Sequence, residues 1–289
     1  MKEIRGIVPT LLTPFNDNNK VDKEVMLRQI YYAFEQKPHA LGVNGEASEC
    51  YSLSCTERRM ILEWVLAETH GQIPIVVGVG ANSTADSVSL ARHASEKGVD
   101  AVFASPVIGG VTTPEAIYAH FKAINDAVAI PVIVQQHSII VPDAVLRRMI
   151  EELENVRYIK EERPLNNGQW ITKDRSLTDK VQVFSNGVQM IDELQRGAIG
   201  MMPTCLELSA YVKIFNSYMN GDIETAWAEW LRIEPLISYR WRINSIIAAK
   251  EWLRYKGVFK NTHMRASAVF MDDGEIKMLH QLMERVGPI

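Results

Sequence analysis

Thr10-Leu11-Leu12-Thr13-Pro14-Phe15 follows the first β-branched run of the chain and contains no glycine. A doubly wound open sheet usually places a glycine-rich phosphate loop at that point, after its first strand. The only later stretch of that kind, Gly78-Val79-Gly80, lacks a third glycine and a downstream acid, so it does not read as a nucleotide loop. This decides between two solutions for a chain that alternates short apolar runs with longer helical patterns.

The strand-like runs are Gly6–Thr10, Ala40–Asn44, Ile75–Val79, Ala101–Ala104, Val132–Val134, Tyr158–Lys160, Val181–Phe184 and Ala198–Met201. They are apolar on both faces, as parallel strands covered by helices should be. Between them the spacing predicts helices over Asp22–Glu35, Thr56–Thr69, Thr84–Glu96, Thr113–Ala127, Pro142–Leu153 and Val188–Arg196. Thr56 before Glu57, and Pro114 one residue past Thr113, serve as start signals. Eight β-then-α units in series, without a phosphate loop, predict a closed (β/α)8 barrel.

Beyond residue 220 the pattern changes to helices without strands, over Ile223–Ile237, Trp241–Lys256 and Gly274–Val286. These carry Trp227, Trp230, Trp241 and Trp252, an aromatic set expected in helix-on-helix packing or a subunit interface. No linker rich in Gly, Ser or Pro precedes them. The expected organisation is a barrel over residues 1–220 that carries the active site, with residues 221–289 packed on it.

Composition narrows the function classes. Of 289 residues, 47% are hydrophobic and 23% charged, values that exclude disordered and fibrous chains. With 31 Lys plus Arg against 35 Asp plus Glu, nucleic acid and anionic membrane are not expected partners. No apolar run is long enough to span a bilayer. Met1-Lys2-Glu3-Ile4-Arg5-Gly6 lacks the apolar core of a secretory signal, and three cysteines (Cys50, Cys55, Cys205) do not build a disulfide framework; a cytoplasmic location is expected.

In a barrel, chemistry is expected where strands end at the C-terminal face. The seven histidines never fall at ligand spacing, and only His137 stands near a strand end, so no metal site is expected; His137 itself reads as an exposed loop residue. Cys50 and Cys55 have no His or Asp paired with them, which argues against a thiol mechanism. Lys160 closes the apolar run Tyr158-Ile159-Lys160, so its stem should lie in the barrel or at its rim. Burial there disfavours an ammonium and favours the free amine that imine chemistry needs. The competing reading is a rim salt bridge to Glu161 or Glu162.

Several motifs in order resemble the dihydrodipicolinate synthase / N-acetylneuraminate lyase family of class I aldolases and dehydratases. They are Gly6-Ile7-Val8-Pro9-Thr10-Leu11-Leu12-Thr13-Pro14-Phe15, then Gly45-Glu46-Ala47-Ser48-Glu49 with Leu53-Ser54, then Pro74 to Thr84, Tyr158-Ile159-Lys160-Glu161, and Leu194-Gln195-Arg196-Gly197-Ala198-Ile199-Gly200. The resemblance covers essentially the whole chain. It implies a lyase without cofactor, in which Lys160 forms a Schiff base with a small 2-oxo acid, in a homo-oligomer (tetramer or dimer). The protonated imine is an electron sink that lets the neighbouring carbon lose a proton or break a bond.

The same resemblance implies the other site residues. Counted without gaps and with Leu53 in register, the family's Thr-Thr-Gly-Glu loop falls on Glu46-Ala47-Ser48-Glu49. A competing register, Val43-Asn44-Gly45-Glu46, needs an insertion. Backbone N–H groups at Ala47 and Ser48 would hold the substrate carboxylate whatever the side chains. The strand-five tyrosine that usually shuttles protons aligns with Gln135, the second tyrosine with Val107-Ile108, and the relay threonine with Glu46. The loop after strand five lacks the family's usual arginine. Asn186 or Gly187 occupies the strand-seven glycine position, and Ile108, Asn186 and Met202 are expected to shape the pocket.

An amide cannot act as acid or base. Gln135 together with a carboxylate-bearing loop resembles the branch that dehydrates 2-keto-3-deoxy sugar acids such as ketodeoxyarabonate, with Glu46 or Glu49 as the displaced acid/base. The alternative is a barrel that binds a sugar acid or a protein partner without turnover.

Overall fold

The computed structural model describes residues 3–107, 113–137, 139–163, 169–265 and 270–287. Eight strands lie parallel in one sheet, ordered β1-β8-β7-β6-β5-β4-β3-β2. They are β1 (Gly6–Ile7), β2 (Leu41–Val43), β3 (Ile75–Gly78), β4 (Ala101–Ala104), β5 (Val132–Gln136), β6 (Val156–Glu161), β7 (Gln182–Ser185) and β8 (Gly200–Met201). The seam between β1 and β2 is closed by a parallel bridge from Thr10 to Gly42, with Leu11 N–H donating to the Gly42 carbonyl and Gly42 N–H to that of Pro9. The sheet is a barrel, as expected.

Each strand alternates its side chains between two apolar layers, the period-two rule of any strand. Val76, Ala101, Phe103, Ile133, Tyr158 and Phe184 pack together inside the barrel with Ile4, Val8 and Met202. Their neighbours Val77, Val102, Ala104, Val132, Val134 and Ile159 face the helices. Those helices are α1 (Lys23–Glu35), α2 (Cys55–Thr69), α3 (Thr84–Glu96), α4 (Pro114–Ala127), α5 (Asp143–Glu152), the short α6 (Gln169–Lys173) and α7 (Arg175–Thr178), and α8 (Met190–Gln195). Asp22 and Thr113 cap α1 and α4, with Pro114 in the first turn of α4. The cap of α2 is Ser54 instead of a residue at Thr56: its hydroxyl and the Glu57 carboxylate satisfy each other's backbone amides in a reciprocal box.

Gly78 explains the Gly-Val-Gly run. A β-carbon at residue 78 would lie 2.2 Å from the Asn44 carbonyl oxygen, so the run serves close approach of β3 to the end of β2.

After α9 (Leu208–Met219) come α10 (Ile223–Ile243), α11 (Ser245–Tyr255) and α12 (Asp273–Val286). α10 continues past Ile237 and through Pro235, so Trp241 belongs to its last turn and not to the following helix. The break falls at Asn244, whose side-chain oxygen accepts from the amides of Ile246 and Ile247 and starts α11. Trp230, Ile233 and Ile237 of α10 pack with Trp252 of α11, Leu279 of α12, Tyr211 and Phe215 of α9, and Ile7 and Met201 of the barrel. This places the end of α10 over the barrel's C-terminal mouth.

Candidate active site

The inner face of the barrel does not stop at its apolar layer. Two residues beyond Ile133 stands Gln135 and two further His137; two beyond Tyr158 stands Lys160 and two further Glu162; two beyond Phe103 is Ser105, and two beyond Phe184 is Asn186. Period two thus delivers polar groups above the core. β5 and β6 set Gln135 beside Lys160 in register. A cavity of about 610 Å³ opens at this level. Its wall includes Glu46, Ala47, Gln135, His137, Lys160 and Glu162, with Asn186 and Met202 on the far strands.

Lys160 is 7% exposed and faces this cavity. It is not the isolated amine that burial alone suggests. Its Nζ lies 2.7 Å from Glu162 Oε1, and the Gln135 amide donates to the same oxygen at 2.7 Å. A buried ammonium needs a partner, and Glu162 supplies one without removing the lysine from the cavity. Glu161 points the other way, as alternation requires, and binds Arg163 and Gln136.

A second polar group converges from the loop after β2. Glu46 Oε2 accepts from His137 Nδ1 at 2.5 Å, and Oε1 accepts from the Ser105 hydroxyl at 2.5 Å. Burial raises the Glu46 carboxyl, but the bonds from His137 and Ser105 and the charges of His137 and Lys160 outweigh it, and the group titrates below the ordinary range. The bond to Glu46 lifts His137 above the ordinary imidazole value against the effect of burial, with the Glu162 charge adding to it. His137 Nε2 stands 3.9 Å from Glu162 Oε2. The histidine read as a loop residue therefore links the two carboxylates that flank Lys160.

Gly45, Glu46 and Ala47 line the cavity, whereas the Asn44 amide turns away to the Arg58 carbonyl. Two loop residues do not join the site. Ser48 is buried, its hydroxyl donating to the Leu11 carbonyl and accepting from Gly45 N–H. Its own amide closes the turn on the Gly45 carbonyl, so neither group is presented to the cavity. Glu49 is buried against Lys250 and accepts from the amide of Arg265, which makes it a tie between this loop and α11. Ile108 lies outside the described residues. Burial pushes the Cys50 thiol up to about 12, which disfavours its thiolate.

Sequence reasoning did not place Glu162 or His137 in the cavity wall. Counting in twos from Tyr158 and Ile133 would have found both. It also missed Arg240 and Trp241, which enter the cavity wall from the last turn of α10. No local signal marks them.

The whole chain can be set beside known proteins. The model of the dihydrodipicolinate synthetase family matches residues 3–286. A protein named 4-hydroxy-tetrahydrodipicolinate synthase from Afipia carboxidovorans is 30% identical, over 99% of this chain and 97% of its own. One of the same name from Nitrobacter hamburgensis is 26% identical over 88% of each. The fold is shared with the 4-hydroxy-tetrahydrodipicolinate synthase of Methylacidiphilum fumariolicum SolV, at a TM-score of 0.92 and 19% identity, covering 98% of this chain and 96% of that one. A prophage protein of the dihydrodipicolinic acid synthase family from E. coli K12, solved with pyruvate, superposes with a TM-score of 0.91 at 17% identity, covering 98% of both. A barrel with a polar cavity at its mouth and a family match from residue 3 to 286 lead to one assignment: the chain belongs to the dihydrodipicolinate synthetase family and is a Schiff-base-forming lyase within it.

Proposed function

We propose that Lys160 forms the imine with a 2-oxo acid and that the chain dehydrates a 2-keto-3-deoxy sugar acid. The observation that carries this reading is the single Glu162 oxygen that receives both Lys160 Nζ and the Gln135 amide at 2.7 Å. An ammonium must lose a proton before it attacks a carbonyl, and Glu162 is placed to accept it. It returns that proton to the carbinolamine hydroxyl, which leaves as water as the iminium forms; the carboxylate, free again and released from its ion pair, then serves as base at the carbon that the iminium acidifies. Loss of a β-hydroxyl then needs an acid. His137, whose protonated form the bond to Glu46 favours, is the group of that character in the cavity wall. The water leaves with the proton from His137, and hydrolysis of the conjugated imine returns Lys160.

Gln135 holds the Glu162 carboxylate and moves no proton. A tyrosine relay is replaced by two carboxylates and an imidazole, which supports dehydration over the condensation that the names of the relatives describe. Glu46 and Ala47 would stand beside the substrate, with Asn186 and Met202 closing the opposite wall. Among the described residues nothing favours a barrel that binds without turnover. A cytoplasmic homo-oligomer remains our reading of the whole: no described helix is long and apolar enough to cross a membrane, and α10 exposes Ile223, Trp227 and Leu231 one turn apart.

The test is borohydride reduction in the presence of pyruvate and of a panel of 2-keto-3-deoxy acids. A stable adduct on Lys160, and release of water with formation of a semialdehyde from a deoxy sugar acid, are the expected results. A folded protein that labels with no 2-oxo acid refutes the imine; pyruvate as a cleavage product refutes dehydration.

A further inference from the structure

Arg240 stands in the wall of the cavity that holds Lys160, and the chemistry above gives it no task. It is 3% exposed. Its Nε has no hydrogen-bond partner among the described residues. Its ion-pair partner is Glu207, wholly buried at the start of α9, with Nε 3.6 Å from Oε1. Both Glu207 oxygens also lack a hydrogen bond among the described residues. Burial pushes the Glu207 carboxyl up to about 7 despite the nearby guanidinium. Glu207 and the Tyr211 hydroxyl thus orient Arg240, and its guanidinium stands at the cavity wall.

The cavity needs such a group. Glu46 and Glu162 line it and repel an incoming carboxylate. The cations among its described lining residues are Lys160, His137 and Arg240. Imine formation commits the first to the substrate's carbonyl carbon, and Glu46 engages the second. The strand-five loop contributes no arginine. α10 brings one from a different part of the chain.

We propose that Arg240 is the carboxylate-binding residue of this cavity. Its guanidinium takes a carboxylate of the 2-oxo acid, either the one beside the carbonyl or a second one at the far end. The assignment rests on the imine reading above, and the experiment separates the two.

The full-length protein and its Arg240→Gln and Arg240→Lys variants are titrated with pyruvate, 2-oxoglutarate and uncharged pyruvamide, with borohydride labelling of Lys160 read by mass. An Arg240→Gln/Glu207→Gln variant, which leaves no buried carboxylate unpaired, guards against a folding defect. The glutamine variants should raise the half-saturating concentration of the carboxylates about ten- to hundredfold. Pyruvamide should be unaffected, and lysine should recover part of the loss. A rise for both acids places Arg240 at the carboxylate beside the carbonyl; a rise for 2-oxoglutarate alone places it at the far end. Unchanged labelling by both acids overturns the proposal. So does an equal rise for pyruvamide, which marks a purely structural arginine. If wild type labels with none of the three, the imine reading has failed; calorimetric binding of 2-oxoglutarate to wild type and variants, which needs no imine, then decides on Arg240 by the same criteria.

Discussion

Glu46 and His137, 91 residues apart in the chain, meet at 2.5 Å over the mouth of the barrel. Each shifts the other toward its charged form: the histidine is raised by its bond to the carboxylate, and the carboxylate is lowered once those bonds outweigh its burial. The consequences for pH differ in sign. A raised histidine adds stability that is complete below its unfolded value, about 6.5, and fades as pH climbs through the higher folded value. A lowered carboxylate adds stability that is complete above its unfolded value, about 4.3, and fades as pH falls through the lower folded one. Both contributions coexist between those two limits. The melting-temperature gap between wild type and His137→Gln should therefore be widest near pH 5 to 6 and shrink above pH 7. Thermal scans from pH 4 to 9 read this, and a gap that grows with alkalinity contradicts the pair.

Glu162 is predicted to matter to turnover more than to folding. Glu162→Gln keeps the shape and the contact to Gln135 while removing the proton acceptor. On the base role, kcat should fall about 10²- to 10⁴-fold when measured at a temperature where the variant is folded, beyond any loss of stability from breaking the ion pair with Lys160. The adduct on Lys160 should still be trapped, more slowly. Retention of wild-type kcat by this variant would remove Glu162 from the chemistry.

Lys250 and Glu49 form an ion pair whose side chains are 0% and 1% exposed, and Lys250 also donates to the His263 carbonyl at 2.6 Å. Removing one charge from such a pair strands the other in a dry interior. Lys250→Met should cost about 3–5 kcal/mol of stability. Adding Glu49→Gln should recover a good part, because an amide tolerates that site better than a lone carboxylate. Urea unfolding of the two variants measures both numbers; a single variant as stable as wild type would show the pair to be dispensable.

Gly78 tests the tightness of the barrel seam. A methyl there would overlap the Asn44 backbone oxygen at 2.2 Å, while one at Gly80 would come no closer than 3.3 Å, to the Ser105 nitrogen. Gly78→Ala should cost about 3 kcal/mol or more and Gly80→Ala about 1 kcal/mol. Equal losses in chemical denaturation would mean that the β2–β3 backbone can part without penalty.

Much of this architecture was legible in residue order. A strand shows its period and its branched side chains within a few residues, so the eight runs and six of the helices between them could be read locally, with ends displaced by three residues at most, while α6, α7 and α9 were not read. Lys160 was legible because it closes an apolar run. Glu162 and His137 were within reach of the same count, two residues beyond Lys160 and Gln135, but a carboxylate or imidazole just past a strand also fits a solvated loop. Only the barrel's closure shows that both turn inward.

What the chain order determined was the sequence of elements and which face of each strand is apolar, since these depend on neighbours along the backbone. Tertiary structure alone decided that Glu46 serves the cavity while Glu49, three residues later, is consumed by Lys250 from α11. It alone carried Arg240 to the mouth, by prolonging α10 through Pro235 to Asn244. Ion pairing and burial depend on distances between segments 90 to 200 residues apart, and those distances exist only once the barrel has closed and the last helices have packed across it.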